Sequence, residues 1–359
     1  MNWETAPVRR YRRFAMDNFT EARATGPGAF EDFADRVFDQ LWGAFRLMEI
    51  RHSVGGSAGT LCKVDSRTSA TVWVAKDGYG HEDMSGPIML DEEQVIAWID
   101  VSNSNAVGGA GKIASINYTN STVTMESAWD NGATVPVAND LVVSATTTST
   151  DAGHFDTEFN KAKNGLLSIV DPLGTLTTVF NISQTIYPRW KPFRATSSTF
   201  DHIEVTEFMQ KLGSKSTMEV NRNTHTVLMA EASQATLARS MIEFQRQMGI
   251  GKTLHGGYET IKVGQWDIAT DPFQLHDVMY ALCDEDLFTV SLVEQGFFDD
   301  DGSMYSRIAD FDGKEGFARD YCNSFSPRRN RHGALTGITQ NAAIVKRGGA
   351  AAFDPVPNY

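Results

Sequence analysis

Four short stretches carry residue types that could act on a phosphate or a metal. GIGKT at 249–253 ends like a phosphate-binding loop, in which backbone N–H groups cradle phosphates, the lysine neutralises them and the hydroxyl holds Mg²⁺. That pattern needs a glycine five residues before Gly251, where Arg246 stands. The stretch also follows a predicted helix, whereas such a loop follows a strand. GGAGKI at 108–113 puts Ile113 where the hydroxyl belongs. FFDDDGSMY (297–305) and ADFDGKEG (309–316) look like Ca²⁺ loops, but placing Gly302 or Gly313 at the obligatory glycine puts Phe297 or Ile308 at the first ligand position. The eight histidines form no His-x-x-x-His pair, and the three cysteines, Cys62, Cys283 and Cys322, have no metal or disulfide spacing. No serine lies in a G-x-S-x-G elbow. The expectation is no enzyme, no cofactor and no metal site.

The elements that would position such groups read as follows. The chain has 359 residues, 41% hydrophobic, with a net charge of −13. It is long enough for two or three units with real cores, and too acidic for a general nucleic-acid binder. No apolar run approaches a membrane span and no secretory signal is present. Residues 1–27 read as an arm carrying Arg9, Arg10, Arg12 and Arg13. A helix is predicted over 29–50, with Phe30, Phe33, Val37, Leu41, Phe45 and Met48 on one face. Residues 51–84 read as a long, thin β-hairpin with few apolar anchors. An isolated hairpin is marginal in water, so this one needs a partner surface. Residues 91–150 alternate in short Thr/Ser/Val-rich runs, as in a small barrel or sandwich.

Beyond 165, strands and helices mix. STFDHIEVTEFMQKLGS (198–214) is a predicted helix with Ser198 as N-cap, Asp201 in its first turn, and Val205, Phe208, Met209 and Leu212 facing a core. A buried strand over 224–230, a helix over 231–249 and a hairpin turning near Gly264 follow. EGFARDYCNSFSPRRNRHGALTGI (315–338) holds a predicted strand with Phe317, Tyr321 and Phe325 on one face. In FNISQTIYPRWKPF (180–193), Pro188 and Pro192 stiffen a connector that carries Trp190. The expectation is a hinge pin, with Arg189 and Lys191 facing acidic groups. Residues 284–301 hold seven acids and no lysine or arginine.

The order of these parts resembles the major capsid protein of tailed bacteriophages, the fold shared with encapsulins and herpesvirus capsid floors. NGLLSIVD (164–171) is similar to the start of that family's P domain. TVFNISQTIYPRWKPF (178–193) is similar to its tyrosine-proline-x-tryptophan segment, and 198–214 occupies the spine-helix slot. HTVLMAEASQATLARSM (225–241) resembles the opening of the A domain, VGQWDIATDPF (263–273) its hairpin, and YCNSFSPRRNRHGALTGI (321–338) the closing strand. The resemblance covers about 50–345.

It implies an α+β chain divided as N-terminal arm 1–27, helix 28–50, E-loop 51–90, an inserted β domain 91–150 that only some relatives have, P domain with spine helix 151–215, A domain 216–305, P-domain return 306–345 and tail 346–359. It implies self-assembly into hexamers and pentamers of an icosahedral head around double-stranded DNA, built in the bacterial cytoplasm. Its expected partners are copies of itself, a portal protein and a possible separate scaffolding or decoration protein. With Met1 just ahead of the arm, the fused scaffold of many relatives is expected to be separate or absent, unless the gene starts upstream. DNA contact is non-specific and no membrane is involved. Inter-subunit contacts are expected from Arg51, Lys63, Arg67, Trp73 and Lys76 of the hairpin and from the four arm arginines, with Pro188, Trp190 and Pro192 as hinge residues. The alternatives are an encapsulin-like compartment, or an α+β enzyme with an unrecognised site. The coat reading leans on one premise, that 51–84 finds its missing contacts in identical copies.

Overall fold

The computed structural model describes residues 8–17, 39, 42–43, 46, 48–81, 86–130, 134–150, 155–216, 224–230, 233–234, 237, 249–250, 261–263, 266–297, 306–307 and 313–338. Most of the predicted helices over 29–50 and 231–249, and of both acidic turns, lies outside these. The chain starts with a strand, β1 (Val8–Asp17), and the first helix reaches its end as α1, residues 48–54.

Six strands follow: β2 (Thr60–Arg67), β3 (Val72–Lys76), β4 (Val95–Asp100), β5 (Ala106–Asn117), β6 (Thr122–Met125) and β7 (Leu141–Ser144). They pair in the order β2-β3-β6-β5-β4-β7 and close into a barrel, with β7 returning onto β2. Closure removes every free edge. The hairpin expected to project alone is therefore two walls of this barrel. Val72–Val74 pair with β6 and Thr60–Lys63 with β7.

The physical reason lies inside the barrel. Leu61, Cys62, Val64, Trp73 and Ala75 of the hairpin are buried with Ile96, Trp98, Ile113, Val123 and Val142 from the later strands and Trp129 from the loop after β6. Trp73 stacks on Trp129 with ring centroids 5.1 Å apart. Each strand set alone has half a core, and together they make a whole one. The expected division between a projecting loop (51–90) and a separate β insert (91–150) is corrected accordingly. GGAGKI lies within β5 and serves packing rather than phosphate. A Cβ on Gly109 would sit 1.8 Å from the Trp129 carbonyl oxygen.

The rest of the chain adds α2 (Leu166–Ile169), β8 (Thr178–Val179), β9 (Ile182–Ser183), β10 (Phe193–Thr196), α3 (His202–Ser216), β11 (His225–Met229), β12 (Gly249–Ile250), β13 (Ile261–Val263), β14 (Trp266–Thr270), β15 (Met279–Cys283), β16 (Phe288–Phe297), β17 (Ser306–Arg307), β18 (Gly313–Phe325) and β19 (Gly333–Thr336). A seven-stranded mixed sheet runs β10-β19-β15-β11-β14-β13-β12. Helix α3 buries Val205, Phe208, Met209 and Leu212, the stripe read from sequence, together with Val227, Met229, Ile268, Met279, Ala281 and Leu335. The boundary expected at 215/216 runs through this core, and β19, expected in a returning P domain, lies in the middle of the sheet.

The α3 cap also differs from expectation. Asp201 is the N-cap, its Oδ1 accepting from the Glu204 backbone N–H at 2.7 Å. Glu204 reaches back to accept from Ser197 Oγ and from the N–H groups of Ser198 and Phe200. The arrangement is related to a capping box, but Glu204 reaches past the N-cap to the N–H groups before it, and the cap is displaced from Ser198. Burial alone would raise the Glu204 pKa, but these hydrogen bonds outweigh it and hold the carboxyl below its usual value.

A third sheet has the order β1-β18-β16, all antiparallel, with β17 also on β18. The arginine arm is thus a paired strand, with Arg9 opposite Tyr321, Arg10 opposite Asp320, Arg12 opposite Ala318 and Arg13 opposite Phe317. In β18 burial changes along the strand: Phe325 and Asn323, on the same face as Phe317 and Tyr321, are buried at its end. Ala318, Asp320 and Cys322 are buried, while Phe317 and Tyr321 are only half-buried.

The Gly109 contact makes a direct prediction. Gly109→Ala should destabilise the fold by about 3 kcal/mol through overpacking. Gly56→Ala, whose Cβ would meet nothing nearer than 3.6 Å, should stay within about 0.5 kcal/mol of wild type. Urea unfolding of both variants checks this.

Candidate self-association surface

The hairpin residues expected at subunit contacts have partners within the chain. Arg51 pairs with Asp91 at 2.7 Å, Lys63 with Asp77 at 3.6 Å and Lys76 with Asp65 at 3.6 Å. Arg67 donates through Nε and Nη2 to one carboxylate oxygen of Asp130, at 2.9 and 2.7 Å, and that carboxylate is buried. Trp73 is fully buried in the barrel. Its availability as a contact is corrected: its ring is core.

The connector likewise turns inward. Pro188–Trp190 form a 3₁₀ turn, and Pro192 is buried. Trp190 is 6% exposed in the single chain. Its Nε1–H donates to the Pro327 carbonyl at 2.9 Å, and its ring packs edge-on to Phe180. The Arg329 guanidinium lies over its face at 4.8 Å. This favours a core role over a hinge exposed to neighbours. Arg189 is exposed, and Lys191 lies near Lys215 rather than an acid: burial first, then the like charges of Arg194 and Lys191, depresses the Lys215 pKa. The expected acidic partners for 189 and 191 are absent among the described residues.

One buried cluster mimics a nucleophile site. Cys283, Asp286, His332 and His225 converge where β15 meets the 326–332 loop. Yet each group is already committed. Asp286 accepts from Arg328 Nε at 2.9 Å and Arg331 Nη1 at 3.0 Å. The Cys283 thiol points at the same carboxylate at 3.6 Å, and burial followed by the Asp286 charge raises its pKa, the reverse of what a nucleophile needs. His332 Nδ1 accepts from the Cys283 backbone N–H at 3.1 Å, so the neutral ring carries its proton on Nε2, facing Ser326 Oγ at 2.8 Å. Burial lowers the His332 pKa to about 3, only partly offset by Asp286. The cluster is a clasp between β15 and the loop. Among the described residues, no group of three or more His, Cys, Asp or Glu is placed to hold a metal, and no helix is long and apolar enough to cross a membrane.

What remains open is β16. It pairs with β18 on one side and has no strand on the other among the described residues. Phe288, Val290 and Leu292 project at 45%, 47% and 72% exposure. Alternation puts Phe288 and Val290 on one face, where the Phe288 ring also meets Phe325 at 5.7 Å, and Leu292 stands at the bulge between Ser291 and Val293. From Phe288 to Ser291 the register with β18 is regular, and bulges interrupt it only beyond Ser291. A long, apolar, open edge recruits another strand unless something protects it. FTVSLV was visible in the sequence as an apolar run, but its period of two did not reveal that no layer covers it. Arg329 was missed as well, because nothing in YCNSFSPRRNRHGALTGI marks it for burial.

Two expectations follow. Arg67→Ala should cost about 1–3 kcal/mol, because a buried carboxylate loses its guanidinium. A purely inter-subunit role, as first expected of Arg67, would leave the folding stability of the subunit unchanged, and urea unfolding separates the two. The depressed His332 pKa makes stability greatest above about pH 6.5 and progressively lost as pH falls toward about 3, at up to about 1.4 kcal/mol per pH unit. His332→Gln should flatten the change in urea midpoint between about pH 6.5 and 4.5, a window set by the ordinary histidine pKa.

No family model and no curated protein matches the sequence. Solved structures do. The cyanophage A-1(L) capsid asymmetric unit shares 13% identity over 50% of this chain and 61% of that chain, with a TM-score of 0.40. Mycobacterium phage Patience shares 10% over 98% of this chain and 76% of that one, at 0.40. The holo-SrpI encapsulin complex from Synechococcus elongatus PCC 7942 shares 9% over 40% and 52%, at 0.31. These three are phage structures and an encapsulin, each distant in sequence, and their roles remain their own.

Proposed function

We propose that this chain is a shell-forming structural protein, the major coat protein of a tailed phage, which assembles with copies of itself into hexamers and pentamers of an icosahedral head around double-stranded DNA. One observation carries the reading: the ten-residue edge strand β16, with Phe288, Val290 and Leu292 exposed along it. A row of apolar side chains beside unpaired backbone groups is costly in water and is stabilised by a partner strand. The ordered set of motifs from 164 to 338 supports the same reading.

The carrying feature has moved. Residues 51–84 were to supply the missing contacts, but the chain closes their two strands into a barrel and pairs their cations, so association falls to the β16 sheet instead. A shell needs only modest contacts per subunit, because closure multiplies them. Contact with packaged DNA would be non-specific, through phosphates.

Purified full-length chain should sediment as megadalton particles and appear as closed shells in negative stain. A small, discrete oligomer at every concentration tested would overturn the proposal. Leu292→Lys should leave subunit stability within about 0.5 kcal/mol, since its side chain is exposed, yet sharply reduce assembly. Sedimentation and thermal unfolding of the same sample separate the two effects.

A further inference from the structure

Among the described residues, the β1-β18-β16 sheet has two open edges of opposite character. At one edge, β1 presents Arg9, Arg10, Arg12 and Arg13 and then Phe14, Ala15 and Met16 in chain order. At the other, exposed Asp284 and Glu285 precede the apolar stretch of β16. Asp286 does not contribute to this charge, because Arg328 and Arg331 hold it in the clasp. Building on the shell reading, we propose that β1 of one copy adds as a parallel strand to β16 of the next, so that the sheet continues from subunit to subunit.

The strand directions follow from topology. Strand β18 is antiparallel to both neighbours, so β1 and β16 run the same way. A second copy set beside the first without reversal brings its β1 parallel to β16. In that direction the residue order matches: arginines meet Asp284 and Glu285, and Phe14–Met16 run beside the apolar stretch. The two-fold alternatives match less well. An antiparallel β16 pair turns the acidic start of each strand toward the Glu294 end of the other. A fully overlapped antiparallel β1 pair sets Arg12 opposite Arg13. Like charges facing each other across strands are destabilising.

The proposed contact joins two different edges and is therefore heterologous. A heterologous contact generates rings when its rotation closes, which hexamers and pentamers require. Main-chain hydrogen bonds of the added strand supply affinity. The charges choose the edge and suppress the homotypic pairings.

Two measurements on the full chain test this. In wild-type particles, amide hydrogen exchange over 288–292 should slow by about tenfold or more relative to dissociated subunits, as expected when an open edge becomes hydrogen-bonded. The second is a charge swap. An arm-reversed chain (Arg9→Glu, Arg10→Glu, Arg12→Glu, Arg13→Glu) and an edge-reversed chain (Asp284→Arg, Glu285→Arg) should each lose about tenfold or more of the assembled fraction. A chain carrying both sets should recover it. Unprotected 288–292 amides in intact particles would overturn the edge pairing and leave the shell reading standing. So would a combined chain that keeps the wild-type thermal midpoint but stays unassembled. A wild-type chain that never assembles would sink both.

Discussion

A guanidinium buried without a carboxylate against it organises the centre of this molecule. Arg329 is 0% exposed. Its Nε donates to the Ile169 carbonyl and its Nη2 to the Ser168 carbonyl at 3.2 Å, while its plane covers Trp190. The 164–171 segment, the 188–190 turn and the 326–332 loop are far apart in sequence and meet on this one side chain. Burial lowers its pKa to about 10, with the Asp171 charge opposing the shift, so it stays cationic at neutral pH. Asp171 is in turn held by Arg194 at 2.9 Å. A lysine would offer neither the fork for two carbonyls nor the flat face for the indole.

Around this pin the chain builds two kinds of surface. The barrel is self-sufficient: its edges are closed, its tryptophans are stacked, and its cations are matched by Asp65, Asp77, Asp91 and Asp130. The β1-β18-β16 sheet is not, because one edge strand carries an apolar row to solvent. Ion pairs already made within a subunit have little left to give a neighbour, whereas an unpaired strand edge has its hydrogen bonds still to make. Association therefore concentrates where the fold is least complete.

Local features of the chain were legible where the physics is local. The α3 stripe Val205-Phe208-Met209-Leu212 follows helical period, the 225–229 strand its β-branched run, and the 261–270 hairpin its apolar flanks around a turn. The cap slipped by three residues, because Ser198 and Asp201 both offer an oxygen and only the path of Ser197–Phe200 decides which one reaches Glu204. Residues 51–84 were misjudged for a deeper reason. Leu61, Val64 and Trp73 look sparse when counted alone, and they become a core only when β6 and β7 arrive from some 50 to 80 residues later.

What the sequence determined by itself was the alternation and the helical stripe, the absence of recognisable catalytic spacing, the placement of basic and acidic blocks, and the order of motifs that resembles a coat protein. Those depend on neighbours along the chain. Only the tertiary structure decided which strands share a sheet, that Arg67 and Trp73 face inward, that Cys283, Asp286 and His332 form a closed clasp, and that Phe288, Val290 and Leu292 face water. Burial and strand pairing are set by contacts between distant segments, and a period of two looks the same whether or not another layer covers it.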